Sequence, residues 1–143
     1  MLVDANLLLY AVDETSPHAG PAAEWLTGVL GGSRRVALPW QTIGAFLRIS
    51  THPRIMTEPL TAERAWAFVH RWLEAEPTWI PPTGERTARV LGTLLTDHQV
   101  TANLVPDAML AALAIEHGLT VVSADSDFAR FPEVAWTNPL VAR

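Results

Sequence analysis

The sequence contains no cysteine, no lysine and no apolar run long enough to cross a membrane. Without cysteine, disulfide bonds and thiolate metal ligands are excluded. A membrane-spanning helix needs about 18 or more successive apolar residues, and no run in the chain approaches that length. No charged segment followed by an apolar stretch indicates a secretion signal. We therefore expect a cytoplasmic protein with no membrane partner.

Positive charge is also scarce, because the formal net charge is −5 and all ten basic residues are arginines. An acidic chain lacks the broad basic face that usually attracts nucleic acid. Arginine nevertheless binds phosphate through a bidentate fork, and Arg48 follows a predicted apolar helix face. Arg48 is therefore our best candidate for a phosphate contact, while Arg34 and Arg35 fit either a phosphate-binding patch or a solvated loop.

Short apolar runs alternate with helical patterns along the 143 residues, of which 49% are apolar. We predict strands at the opening apolar run, at residues 35–38 and 78–80, after Gly118, and at residues 134–136. We predict helices after Asp4, from Pro17 to Leu30, from Trp40 to Ser50, after Thr61, from about 83 to 95, and from Pro106 to His117. Strands that alternate with helices favour a parallel sheet with right-handed crossovers. The chain is therefore predicted to be a single α/β domain, residues 1–143.

Asp4 and Asn6 stand at the end of the first predicted strand, between two apolar runs. In parallel sheets, groups at the carboxyl ends of strands face the edge where ligands usually bind. A carboxylate at this point is therefore a candidate for chemistry. The alternative is that Asp4 or Asn6 only caps the helix that follows.

Asp107 lies in the first turn of a nearly all-apolar helix, which Pro106 opens and Gly118 ends. The positive end of the helix dipole stabilises an anion there, and this alone can account for an acid at that position. Glu116 falls roughly 180° around the helix from Asp107, at about 100° per residue. We therefore predict that Glu116 is a surface residue and not a ligand.

Asp125 and Asp127 follow the strand that begins after Gly118, with Ser123 two residues before Asp125. Strand alternation places these three side chains on one side if the chain stays extended. A calcium-binding loop is excluded, because no glutamate stands at the twelfth position counted from Asp125. A turn or a helix cap stays an alternative, since aspartate and serine are common in turns.

The four aspartates become informative when they are taken together. Two unit charges about 5 Å apart repel by roughly 3 kcal/mol at an effective dielectric constant near 20. Four clustered carboxylates therefore need a cation or raised pKa values. Oxygen ligands without cysteine or a nearby histidine suit Mg²⁺ or Mn²⁺ better than zinc. Such a site is suited to phosphodiester hydrolysis, and its predicted metal ligands and catalytic residues are Asp4, Asp107, Asp125 and Asp127.

Three segments of the chain resemble a PIN domain of the VapC toxin branch: Val3-Asp4-Ala5-Asn6, Pro106-Asp107-Ala108 and Val122 to Phe128. The resemblance covers essentially the whole chain and implies a three-layer α/β/α sandwich with a mainly parallel sheet. It also implies a Mg²⁺-dependent endoribonuclease, with Mn²⁺ as a substitute ion, RNA as substrate and a small antitoxin as partner. In that family setting Asn6 and Ser123 are supporting hydrogen-bonding groups, and Arg48 is the candidate RNA contact.

One position departs from this resemblance. Many PIN domains carry a glutamate early in the helix after the second strand, where this chain has Ala45. The missing carboxylate leaves two alternatives: a second metal ion that is held less tightly, or a single ion with Gln41 or Thr42 orienting water.

Two other functions also stay open. The chain could be a non-catalytic protein that acts only by binding its antitoxin, or a phosphatase-like phosphoryl-transfer enzyme. The phosphatase alternative is weaker, because the chain has no lysine to bind phosphate and has Asn6 where such folds carry a second aspartate.

Six tryptophans are many for a chain of this size. Trp25, Trp66 and Trp72 fall on apolar helix faces and are predicted to be core residues. Aromatic residues and arginine are enriched in buried contact patches between proteins. The helices around Trp25 and Trp66 are therefore candidates for a homodimer face or an antitoxin groove.

Overall fold

The structure, a computed structural model, describes residues 1–141. Its five strands form one sheet: β1 (Leu2–Val3), β2 (Val36–Ala37), β3 (Thr78–Trp79), β4 (Val121–Val122) and β5 (Trp136–Thr137). The strands pair in parallel in the order β3-β2-β1-β4-β5. This arrangement confirms the predicted parallel sheet.

In residues 1–141, six α-helices surround the sheet: α1 (Ala5–Val12), α2 (Ala19–Leu30), α3 (Trp40–Ser50), α4 (Ala62–Glu74), α5 (Glu85–Asp97) and α6 (Val105–His117). Two short 3-10 helices occupy Ala102–Leu104 and Ser126–Arg130. Within residues 1–141, none of the helices combines the length and the apolar character needed to traverse a bilayer.

Successive residues of the central strands supply the two faces of the sheet. Leu2 and Val121 pack with residues of α5 and α6 in one buried cluster, whereas Val3 and Val122 pack with α1, α2, α3 and α4 in another. Because neighbouring side chains of a strand point to opposite faces, each of the three central strands, β2, β1 and β4, contributes to both clusters. The molecule is therefore a three-layer α/β/α sandwich, as predicted.

The strand order reverses at β1, which lies between β2 and β4. In open parallel sheets, ligand sites form beyond the carboxyl ends of the strands at such a switch point. Asp4 directly follows β1 and Ser123 directly follows β4, and Asp4 N donates a hydrogen bond to Val122 O at 3.0 Å. Two of the predicted site segments therefore meet at the switch point.

The start of α2 differs from the prediction. The helix begins at Ala19 instead of Pro17, and His18 precedes it without a side-chain cap. Ser16 Oγ accepts a hydrogen bond from His18 N at 3.1 Å, so Ser16 closes a turn before the helix and does not cap it. Serine favours both turns and helix caps because its hydroxyl bonds to nearby backbone N–H groups in either case. At Ser16 the turn forms instead of the predicted cap.

The last strand is also displaced from the predicted 134–136. Val134 N donates to Phe131 O at 3.1 Å within a turn, and the ladder to β4 begins two residues later with Trp136. Val134 is nevertheless buried, which accounts for its strand-like apolar character.

Two predictions of burial were wrong. Glu116 is not on the surface: its side chain is only 15% exposed and accepts a hydrogen bond from Thr87 Oγ1 of α5. Trp66 is 48% exposed on α4, whereas Trp72 is buried and Trp25 is partly buried. Trp66 is exposed because the buried face of α4 runs through Ala65. Trp66 is the next residue and therefore points about 100° away from that face.

Candidate metal centre

Asp4 both caps α1 and faces the carboxyl edge of the sheet. Its Oδ1 accepts a hydrogen bond from Ala5 N at 2.7 Å, which satisfies a free N–H group of the first helical turn. Its Oδ2 accepts hydrogen bonds from Ser123 Oγ at 2.7 Å and from Asn6 Nδ2 at 3.2 Å. The helix-cap alternative is therefore correct for Asp4, but capping occupies only one of its two oxygens.

Ser123 joins the ends of β1 and β4. Its side chain is fully buried, and besides donating to Asp4 its Oγ accepts hydrogen bonds from Asn6 Nδ2 and Asp125 N, each at 3.0 Å. Asn6 Oδ1 in turn accepts a hydrogen bond from Ala124 N at 3.2 Å. Asn6 and Ser123 thus hold the Asp4 carboxylate in one orientation.

Asp125 and Asp127 lie in the turn after β4. The chain does not stay extended there, because a 3-10 helix occupies Ser126–Arg130. Asp125 Oδ1 accepts a hydrogen bond from Asp127 N at 2.8 Å and so caps this helix. Arg130 Nε lies 3.7 Å from Asp127 Oδ1, at the spacing of one 3-10 turn. The helix cap that the sequence left as an alternative is the one that forms, and both carboxylates still reach the same edge of the sheet.

Asp107, in the first turn of α6, brings a third chain segment to this edge. One carboxylate oxygen from each of Asp107, Asp125 and Asp127 lies within 4.8 Å of the other two. Burial, followed by the charges of Asp125, Asp4 and Asp127, raises the pKa of Asp107 to about 7. Burial also raises the pKa of Asp4, against the opposing effect of the hydrogen bond from Ser123. The four predicted aspartates are therefore close enough to affect one another electrostatically.

Such a cluster is suited to a divalent cation. Mg²⁺ takes six oxygen ligands at about 2.0–2.1 Å, which places the ligand oxygens roughly 3–4 Å from one another. The oxygens of Asp107, Asp125 and Asp127 lie at most 4.8 Å apart, which is close to that spacing. The donors are carboxylate oxygens, which suit Mg²⁺ or Mn²⁺ and lack the imidazole and thiolate ligands of a structural zinc site.

A cavity of about 100 Å³ opens beside Asp4 and Asp107, between α3 and α6. Ala45 and Gln41 line it, so the position that carries glutamate in many PIN domains faces this cluster. Thr42 also borders the cavity, but it is buried and its Oγ1 donates a hydrogen bond to the carbonyl of β1 at 2.7 Å. Thr42 therefore anchors α3 to the sheet and spends its only hydroxyl proton there, whereas the Gln41 amide has both donors and an acceptor with which to orient water.

Sequence reasoning missed two side chains near the cluster. Trp136 Nε1 donates a hydrogen bond to Ser123 O at 3.0 Å, and Arg130 pairs with Asp127. The spacing of three residues between Asp127 and Arg130 is typical of an ion pair within one helical turn and could have been found from the sequence. No local pattern connects Trp136 with Ser123. Arg48 lies in the last turn of α3 and is exposed, outside the group of carboxylates.

The sequence matches known proteins over nearly its full length. The PIN domain family matches residues 1–134. The chain is similar to Ribonuclease VapC37 of Mycobacterium tuberculosis, at 45% identity over 138 residues that cover 96% of both chains. It is also similar to Ribonuclease VapC33 of the same organism, at 35% identity over 140 residues that cover 98% of both chains.

Solved structures show the same fold. The chain is similar to VapBC2 from Rickettsia felis bound to a DNA fragment from their promoter, with a TM-score of 0.72 and 18% identity over 96% of each chain. It is also similar to FitAcB from Neisseria gonorrhoeae, with a TM-score of 0.63 and 19% identity over 96% of each chain. These likenesses concern the fold, whereas the family match and the 45% identity concern the sequence itself. The chain belongs to the PIN-domain family, beside the VapC ribonucleases.

Proposed function

We propose that this chain is a metal-dependent endoribonuclease toxin that hydrolyses RNA phosphodiester bonds as one half of a toxin–antitoxin pair. The observation that carries the proposal is the cluster of Asp4, Asp107, Asp125 and Asp127 at the switch point of the sheet. Relatives at 45% and 35% identity bear the name ribonuclease. The proposal treats residues 1–143 as a single PIN domain. Because the proposed substrate is RNA, the proposed place of action is the cytoplasm.

Asp107, Asp125 and Asp127 are the proposed direct metal ligands, with Asp4 beside them as the fourth carboxylate of the centre. Mg²⁺ is the proposed ion and Mn²⁺ the substitute, because both prefer oxygen ligands. When bound, the ion supplies activation of water and neutralises charge on the phosphodiester oxygens.

The chain's own residues orient this centre. Ser123 and Asn6 hold Asp4 through Oδ2, and the bond from Asp127 N to Asp125 Oδ1 fixes Asp125. All of these groups lie at the ends of buried strands or at helix termini, so their positions follow from the packed fold. Side chains placed in this way need little rearrangement when substrate enters, which favours catalysis.

A small antitoxin is the proposed protein partner. An apolar groove of about 420 Å³ lies between α1, α2 and α4, where Leu26 and Leu30 face Phe68 and Trp72, with Arg71 also in the lining. Amphipathic helices bury their apolar faces in grooves of this kind. A chain of the same fold comes from a toxin-antitoxin complex of Klebsiella pneumoniae, with a TM-score of 0.63. The groove on α2 and α4 is therefore the proposed antitoxin site.

A homodimer is proposed as well, with the exposed face around Trp66 of α4 as its candidate contact. Trp66 is 48% exposed and does not line the antitoxin groove. Aromatic residues of this kind are enriched at protein interfaces.

RNA cleavage by the purified protein tests the proposed activity. Wild-type, Asp107→Asn and Asp13→Asn proteins are incubated with total RNA and transfer RNA in Mg²⁺, in Mn²⁺ and in excess EDTA. Asp13 follows the last residue of α1, about 12 Å along the helix from its start, so Asp13→Asn is the same chemical change away from the cluster. We expect wild-type and Asp13→Asn to cut RNA in either metal, and Asp107→Asn to lose cutting.

Cleavage that persists in EDTA, or in Asp107→Asn at the wild-type rate, would contradict the proposal. A folded protein that forms the antitoxin complex but cuts no RNA under any of these conditions would support the binding-only alternative instead. Circular dichroism of each variant shows whether the fold is intact.

A further inference from the structure

Three residues spaced one helical turn apart form an exposed line along α3: Trp40, Gly44 and Arg48, here called the α3 stripe. Residues four apart lie on the same helix face. Trp40 is 58% exposed, the largest exposed fraction among the tryptophans of residues 1–141. An exposed indole and a guanidinium therefore share one face of a helix that is otherwise anchored in the core.

The α3 stripe borders the cavity at the carboxylate cluster. Gln41 and Ala45 line that cavity together with Asp4 and Asp107, and each follows a stripe residue by one position. One residue corresponds to about 100° of rotation, so the stripe flanks the side of α3 that faces the carboxylates. Trp40 is the first residue of α3, close to the carboxyl end of β2, and so lies toward the edge of the sheet that carries the cluster.

The charge of the site limits how an RNA strand can be held there. Phosphates are repelled by the carboxylates, and the nearby cation Arg130 is already paired with Asp127 at 3.7 Å. Stacking of a base on an aromatic ring needs no positive charge, and it accepts any base because every base has a π-face. The exposed indole of Trp40 offers such a ring one residue before Gln41, which lines the cavity.

The rest of the stripe leaves room for the strand. A Cβ atom built on Gly44 meets no other atom within 4 Å, so the space over α3 is open at the residue between Trp40 and Arg48. Arg48 lies two turns from Trp40, about 12 Å along the helix axis. A single strand lying on α3 would therefore reach both groups.

We propose that Trp40 stacks on an unpaired base of the RNA substrate, and that Arg48 contacts a phosphate of the same strand. The substrate class is single-stranded RNA, or a loop with unpaired bases, held along α3 beside the carboxylates. The proposal rests on the proposed ribonuclease function and adds the residues that select unpaired RNA.

Binding of fluorescein-labelled RNA tests the role of Trp40. In an Asp107→Asn background, which leaves the RNA uncut, anisotropy gives the affinity for a single strand and for the same strand in a duplex. We expect Trp40→Ala to weaken single-strand binding by roughly 10-fold or more and to leave duplex binding unchanged. Trp40→Phe keeps a stacking ring and restores most of the affinity. Ile55→Ala removes another exposed apolar side chain outside the stripe and the carboxylate cluster, and as the control it should bind normally.

The salt dependence of the same binding separates stacking from charge. Loss of one phosphate contact reduces the slope of log affinity against log salt concentration by about 0.7 for a single strand. We expect that reduction in Arg48→Ala and an unchanged slope in Trp40→Ala. Equal slopes in wild-type and Arg48→Ala would contradict the assignment of Arg48.

Cleavage in the Asp107-intact protein separates failure of this proposal from failure of the proposed function. We expect Trp40→Ala to raise KM for single-stranded RNA by a similar factor with kcat nearly unchanged, since stacking binds substrate and transition state alike. If the wild-type protein cuts RNA and Trp40→Ala has the same KM, the proposed role of the α3 stripe is wrong but the proposed ribonuclease function stands. Conversion of a wild-type dimer to a monomer by Trp40→Ala in size-exclusion chromatography would also overturn it, because the indole would then be a subunit contact.

Discussion

At the scale of single residues, burial and the neighbouring carboxylates raise the pKa of Asp107 to about 7. An unfolded chain releases this proton near pH 4, so the folded protein binds more protons between about pH 4 and pH 7. Stability from this group is therefore full below pH 4 and is lost as the pH rises through 7. We expect metal-free protein in EDTA to melt at a lower temperature at pH 8 than at pH 5.

The size of this effect is on the order of 1 kcal/mol, because Asp107 is partly exposed and solvent screens its charge. For a domain of this length that corresponds to roughly 3 °C in the melting temperature. Asp107→Asn should flatten the pH dependence, and Mg²⁺ should restore stability at pH 8 in wild-type only. A wild-type protein and an Asp107→Asn protein with the same pH profile would contradict this account of the charge.

Ala45 offers a second test at the residue scale. Ala45→Glu would place a fifth carboxylate at the cavity beside Asp4 and Asp107. Since ligand charge raises affinity for divalent cations, we expect Mn²⁺ to bind roughly 10-fold more tightly by calorimetry. The added charge should also lower the melting temperature in EDTA. Ala45→Gln has nearly the same shape without the charge, so equal affinities for the Glu and Gln variants would exclude a ligand role for this position.

At the scale of elements, the glycine in the middle of α3 lowers the stability of that helix. Gly44 is exposed, its backbone is helical, and a Cβ atom there meets nothing within 4 Å. We expect Gly44→Ala to stabilise the protein by about 0.5–1 kcal/mol, because alanine loses less backbone entropy on folding. Thermal or urea unfolding measures the change.

The control for this prediction is a glycine with a different backbone. Gly118 ends α6 with a φ of 64°, in the left-handed region. The same substitution, Gly118→Ala, should therefore destabilise the protein by about 1 kcal/mol although space is open around it. Gains of stability in both variants would show that the backbone argument is wrong.

Elements with strong local signals were predictable from the sequence. α3 runs from Trp40 to Ser50 as predicted, Thr61 caps α4 through a hydrogen bond from Arg64 N at 3.2 Å, and Gly118 ends α6. The start of α2 was not predictable, because a cap and a turn at Ser16 use the same short-range hydrogen bonds.

At the scale of the whole molecule, the site is assembled from segments that are distant in the sequence. The hydrogen bond from Ser123 to Asp4 joins residues 119 positions apart, and Asp107 reaches the cluster from a helix between them. The alternation of strands and helices predicted that these segments share one sheet edge. It could not predict the hydrogen bonds themselves, and at Asp125 it left the choice open between an extended chain and the cap that forms.

The charge of the whole molecule also sets an expectation for binding. A net charge of −5 gives RNA little long-range attraction, so affinity must come from contacts near the site. Neutralisation of the cluster by a cation is therefore the condition on which the proposed activity depends.

Binding of Mn²⁺, followed by its electron paramagnetic resonance signal, tests this central claim most directly. Wild-type and Asp13→Asn proteins should bind the ion, and Asp107→Asn should bind it at least 10-fold more weakly, on the order expected when a metal ligand is lost. A wild-type protein that binds no Mn²⁺, or an Asp107→Asn protein that binds it as well as wild-type does, would contradict the assignment of a metal centre to this cluster.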